Sequence, residues 1–147
     1  MFPKVSLSKG SIIIPSGVQS VVKKNKKVGI MLIKEKFSDF FSGIREVLGD
    51  TKGSYYTDSQ VALCLRDAFN KMYSIRPSTR FVGQDIINVI FPKDDSLMNF
   101  EITYDEKYRL GLIYFAASRC YESDIKDLVH QQLSAQLRKQ AEAEFLS

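Results

Sequence analysis

Asp94 and Asp95 precede Asp105-Glu106-Lys107 by ten residues or so. Two carboxylates and a lysine are the residue types that hold Mg²⁺ and activate water for phosphodiester cleavage. A Mg²⁺-dependent nuclease would need that lysine on a strand facing the metal. Here Asp105-Glu106-Lys107 reads as a hairpin turn, where Asp and Lys serve the turn itself. Thr51-Lys52-Gly53-Ser54 has the residue types of a phosphate-binding loop without the spacing that aims successive N–H groups at a phosphate. The single histidine, His130, would serve as a general base only if a carboxylate oriented it, which no sequence signature specifies, and no GxSxG elbow supplies a nucleophile. Cys64 and Cys120 lie 56 residues apart with no CxxC or Cys/His grouping, so neither a zinc site nor a disulfide framework is indicated, although a bond between the two is not excluded. No cofactor or metal is called for.

Charge is more informative than any catalytic pattern. Lys+Arg number 21 and Asp+Glu 17, a net +4. Residues 1–36 hold eight lysines and one acid, Glu35, and so carry +7, while the rest of the chain carries −3. Lys23, Lys24, Lys26 and Lys27 crowd one predicted hairpin tip at 18–33, where water must screen their repulsion. A cationic tip of this kind suits an acidic protein surface or the phosphates of a nucleic acid. All eight residues are lysine, whereas base edges are most often read by arginine, so any nucleic-acid contact would be to the backbone.

The elements that must carry these groups follow from hydrophobic periodicity. Val18–Lys23 and Val28–Ile33 read as paired strands, the second apolar on both faces and so an inner strand or one covered by a partner. Phe37–Gly49 reads as a helix, capped by Ser38 and closed by Gly49, with Phe37, Phe40, Phe41, Ile44, Val47 and Leu48 at helical spacing. A second helix is predicted over Asp58–Tyr73, broken at Arg76-Pro77. Residues 86–91 are ambiguous: their β-branched content favours a strand slightly, and a short helix starting near Asp85 would also bury them. Asn99–Tyr104 alternates polar and apolar residues, and Arg109–Ala116 is expected to return beside it as a buried strand. The last helix is expected over 124–145, started by Ser123 and Asp124, with Ile125, Leu128, Val129, Leu133, Leu137 and Ala141 as its buried stripe. Gln132, Gln136 and Gln140 form an uncharged ridge beside that stripe, and the end at 138–147 has few apolar residues and is expected to project.

The expected fold is thus a single α+β domain: an antiparallel sheet from two hairpins packed on three helices, the C-terminal one long. The longest apolar stretch, Leu110–Ala117, is far short of the ~20 residues that cross a bilayer, so no membrane association is expected. The N-terminus shows no secretory pattern, which points to the cytoplasm. The composition favours a non-catalytic protein-binding protein (an adaptor, an inhibitor or immunity-type protein, or a subunit of a larger assembly). Its contacts would be Lys23, Lys24, Lys26, Lys27, Gln132, Gln136 and Gln140, toward an acidic partner. An accessory nucleic-acid binder is the alternative, and the nuclease is the remote one.

Overall fold

The computed structural model describes residues 31–82, 85–86, 89–123 and 127–147. Four α-helices are present among these residues: α1 (Phe41–Leu48), α2 (Asp58–Ile75), α3 (Arg109–Glu122) and α4 (Leu128–Leu146). Strand β1 (Leu32–Lys36) pairs antiparallel with β4 (Glu101–Asp105), and the short β2 (Phe81–Val82) pairs with β3 (Asp85–Ile86). The architecture is α+β in character but mostly helical, with small two-stranded sheets and four helices rather than three. None of the helices among the described residues is long and apolar enough to cross a membrane.

Local chemistry accounts for the element ends. The first predicted helix is entered through a 3-10 turn, Phe37–Phe40, and Asp39 rather than Ser38 caps it, its Oδ2 accepting from the Lys36 N–H at 2.8 Å. Gly49 closes α1 in the left-handed region (φ 71°), where a residue without Cβ is favoured. At the start of α2, Thr57 and Gln60 form a reciprocal capping box, with Gln60 N to Thr57 Oγ1 at 3.1 Å and Thr57 N to Gln60 Oε1 at 2.9 Å.

Two expected elements are corrected. Arg109–Ala116 is not the return strand of a hairpin; it is the first half of α3. A continuous apolar run looks the same as a buried strand or as a helix buried on every side, and length arbitrates. Here burial continues through Ser118, Cys120 and Tyr121, well beyond an ordinary strand. The partner of β4 is instead β1, in the register Leu32↔Asp105 to Lys36↔Glu101. Among the described residues of 86–91, Ile86 is in a strand and Val89 to Phe91 form neither helix nor strand.

The last helix begins at Leu128 and is capped by Asp127, whereas Ser123 closes α3. Of the predicted stripe, Ala141 is buried and Leu133 and Leu137 pack against the core, whereas Leu128 is 73% exposed and Val129 61%; Ser134 and Phe145 complete the buried face, and Ile125 lies outside the described residues. Nor does its end project. Ala141 and Phe145 are fully buried, and Arg76 donates from Nε to the Phe145 carbonyl (2.9 Å) and from Nη2 to those of Leu146 (2.6 Å) and Ser147 (3.2 Å). These bonds satisfy carbonyls that a helix end leaves without intrahelical partners.

The fit between α3 and α4 is close because small residues face each other. Ser134 Oγ donates to the Ser118 carbonyl at 2.9 Å. A Cβ at Gly111 would lie 2.9 Å from both Glu144 Cβ and the Phe145 ring. Alanine in mid-helix ordinarily gains about 1 kcal/mol over glycine. Gly111→Ala is expected to reverse that sign and lower the unfolding free energy by about 1–3 kcal/mol in urea melts. An equal or greater stability would mean that α4 does not seat this closely on α3.

Candidate interaction surface

The four lysines of the predicted tip, Lys23, Lys24, Lys26 and Lys27, lie outside the described residues, as do Val18–Lys23 and the first half of Val28–Ile33. The other three candidate residues are placed by α4. Its start is fixed by the Asp127 carboxylate, which accepts from Val129 N (2.9 Å) and His130 N (3.2 Å), and its end by Arg76. With both ends held and one face seated on α3, the opposite face is set by the 3.6-residue period.

That outer face carries Gln132, Gln136 and Gln140, all exposed, so the structure does bring the three together in one row. The exposed Leu128, Val129, Ala135, Ala143 and Leu146 surround them. Among the exposed residues of α4 only Lys139 is charged, although charged residues make up 26% of the chain. The charged Arg138 and Glu142 sit instead at a half-buried flank, and the half-buried Glu144 lies toward Gly111 of α3. A solvated helix face ordinarily holds such charges, so their confinement to half-buried positions leaves an apolar-amide strip.

The flank is an ion-paired seam. A groove of about 440 Å³ runs between α2, α3 and α4, lined by Asp67, Lys71, Phe115, Arg119, Arg138 and Glu142 among others. Arg119 bonds Asp67 (3.2 Å) and Glu122; Arg138 also pairs with Glu122 while lying over the Phe115 ring, and Lys71 reaches Glu142 at 3.7 Å. The charges of this groove neutralise one another across three helices, which suits it to holding helices together.

The sequence-derived chemical candidates resolve into structural roles. Asp94 caps the 3-10 turn Asp95–Asn99, accepting from Ser96 N at 3.0 Å, and the hydroxyl and N–H of Ser96 hold its carboxyl below the usual range. Asp105 caps the turn Glu106–Tyr108 through Lys107 N at 3.2 Å, and burial pushes its carboxyl up. Lys107 lies over the Tyr108 ring. Among the described residues no three His, Cys, Asp or Glu side chains are grouped to hold a metal ion. His130 packs its ring against Tyr121 (4.8 Å between centroids) and Tyr55 (6.4 Å).

Two arrangements had no signal in the periodicity. In the first, the N–H groups of Ser54, Tyr55 and Tyr56, at the end of the loop after α1, turn inward onto the Asp50 carboxylate. Asp50 accepts from Ser54 N (3.1 Å), Tyr55 N (3.1 Å) and Tyr56 N (2.9 Å), while buried Arg45 donates to it at 3.1 Å and to the Tyr56 carbonyl at 2.9 Å. In the second, Cys64 and Cys120 meet with their sulfurs 3.2 Å apart. Only a shared helical face would have hinted at the latter.

None of the protein-family models matches this chain, and neither a curated protein nor a solved structure matches it.

Asp50 gives this surface a pH limit, because its loop packs beside the start of α4 through Tyr55 and His130. The Tyr56 N–H, opposed by burial and joined by the other two N–H groups and Arg45, holds the Asp50 carboxyl below its ordinary value. A carboxyl lowered in the folded state stabilises at pH above its unfolded value near 3.9, and that contribution disappears as pH falls through the folded value. Acid unfolding followed by circular dichroism is expected to steepen below about pH 4. In Asp50→Asn that portion of the acid branch should be missing, with lower stability at neutral pH. An acid branch identical to that of the parent would exclude this role.

Proposed function

We propose that this protein is a non-catalytic binding module that docks on a protein partner through the outer face of α4 and through the lysines at 23, 24, 26 and 27. The observation that carries the reading is the exposed row Gln132, Gln136 and Gln140 with Leu128 and Val129 beside it, on a helix whose exposed residues include a single charge. Such a face loses little by desolvation, and its amides can donate and accept to a partner. The +7 of residues 1–36 adds long-range attraction to an acidic partner, which raises the rate of encounter more than the final affinity. A reducing setting such as the cytoplasm belongs to the same proposal, resting on there being only two cysteines in 147 residues, with no CxxC grouping.

The test is a pair of charge changes read on a complex isolated from the source cells at high salt and identified by mass spectrometry. Replacing Gln132, Gln136 and Gln140 together by Glu is expected to abolish recovery of the partner with little change in the thermal midpoint, since all three are exposed. Replacing Lys23, Lys24, Lys26 and Lys27 by Gln should slow association at low salt and leave the high-salt complex largely intact. Partner recovery unaffected by the glutamates would reject α4 as the docking face. Heparin retention that depends on the lysines, with no protein complex at all, would instead favour phosphate contact by the alternative nucleic-acid binder.

A further inference from the structure

We propose that Cys64 on α2 and Cys120 on α3 form a reversible redox pair, in which a peroxide-class oxidant converts the two thiols into a disulfide that ties the helices together. This goes beyond the docking proposal and does not depend on it. The two sulfurs, 56 residues apart in sequence, are 3.2 Å apart, and Cys120 Sγ donates to Cys64 Sγ. A disulfide needs about 2.05 Å, so from 3.2 Å the sulfurs must close by roughly 1.2 Å. The pair is buried on the α3 side and partly open on the α2 side, which leaves one approach for a small oxidant.

The environment divides the labour between the thiols. The hydrogen bond from Cys120, aided by the nearby Arg119 and Arg66 and opposed by burial and Asp67, holds the Cys64 thiol below its ordinary value. Cys120 is pushed up, first by its bond to Cys64 and then by burial. The thiolate is the nucleophile, so the partly exposed Cys64 attacks first. Its sulfur displaces water from the peroxide O–O bond and becomes a sulfenic acid. The Cys120 sulfur then attacks that sulfur and expels its hydroxyl, which leaves as a second water with the Cys120 proton. Two electrons pass from the two thiols to one peroxide. A small thiol can reverse the reaction by attacking Cys64 from the open side.

The experiment treats the folded, reduced full-length chain with hydrogen peroxide, alkylates what remains, and maps peptides by mass spectrometry. Both thiols should disappear together, giving one intramolecular Cys64–Cys120 peptide and a mass lower by two hydrogens, restored by dithiothreitol. The thermal midpoint of the oxidised form should rise, because the link restricts the unfolded chain. In Cys120→Ser a dimedone-trapped sulfenic acid should accumulate on Cys64, whereas in Cys64→Ser the buried Cys120 should resist oxidation. The proposal is overturned if the linked peptide forms only in urea, if the links join separate molecules, or if each thiol oxidises independently in the folded protein. If a variant fails to fold, the parent's peptide map decides alone.

Discussion

Phe69 of α2 sits where three sequence-distant parts of the chain meet. Its ring stacks on Phe37 at 5.6 Å and takes the edges of Phe40 (5.9 Å) and Tyr104 (5.7 Å). The four side chains are essentially inaccessible to solvent. Pairs of this kind are each worth about 0.5–1.5 kcal/mol beyond the area they bury. A two-stranded ladder is marginal in water by itself, so β1 and β4 depend on the side chains that tie them to the helices. The same requirement draws Glu35 of β1 toward the Tyr104 hydroxyl and toward Arg109, which donates from Nε at 2.9 Å. Burial, with the Glu35 carboxylate beside it, keeps the Tyr104 phenol protonated well above its ordinary range, so the hydroxyl remains a donor.

From this cluster the constraint passes outward through α3. That helix starts at Arg109 beside the sheet, runs under α4, and ends with Cys120 against α2 and with the Tyr121 hydroxyl on the Leu48 carbonyl at 3.2 Å. Because α3 is enclosed by neighbours, α4 must cover it closely, and the small contacts at Gly111, Ser118 and Ser134 permit this. Once α4 is seated by Phe145 and held at its end by Arg76, its remaining face has nowhere to go but solvent. The exposed glutamine row therefore follows from how α3 is buried.

Much of this was legible in residue spacing. Phe37, Phe40 and Ile44 recur at helical intervals and are buried; Val61, Leu65, Ala68, Phe69 and Met72 mark the inner face of α2. The alternation over Asn99–Tyr104 identified a strand, and Gly49 marked a helix end. These signals are local: each depends on which way a side chain points from its own backbone. The candidate site was legible only in part, because the glutamine row is a property of helical spacing whereas its exposure is a property of what lies beneath.

The local chain thus specified the amphipathic elements, the lysine-rich first quarter and the punctuation between segments. It pointed to a strand at Arg109–Ala116, where the structure has a helix, and to an inward Leu128 and Val129, which are exposed, and it left open whether two cysteines 56 residues apart would touch. Those questions turn on contacts between distant segments. A wholly apolar run satisfies either backbone geometry until its neighbours are known. Similarly, Leu128 and Val129 would have been buried by hydrophobicity alone, yet they lie exposed while Ser134, Ala141 and Phe145 take the interior, with Ser134 bonded to the Ser118 carbonyl where the two helices pack closely.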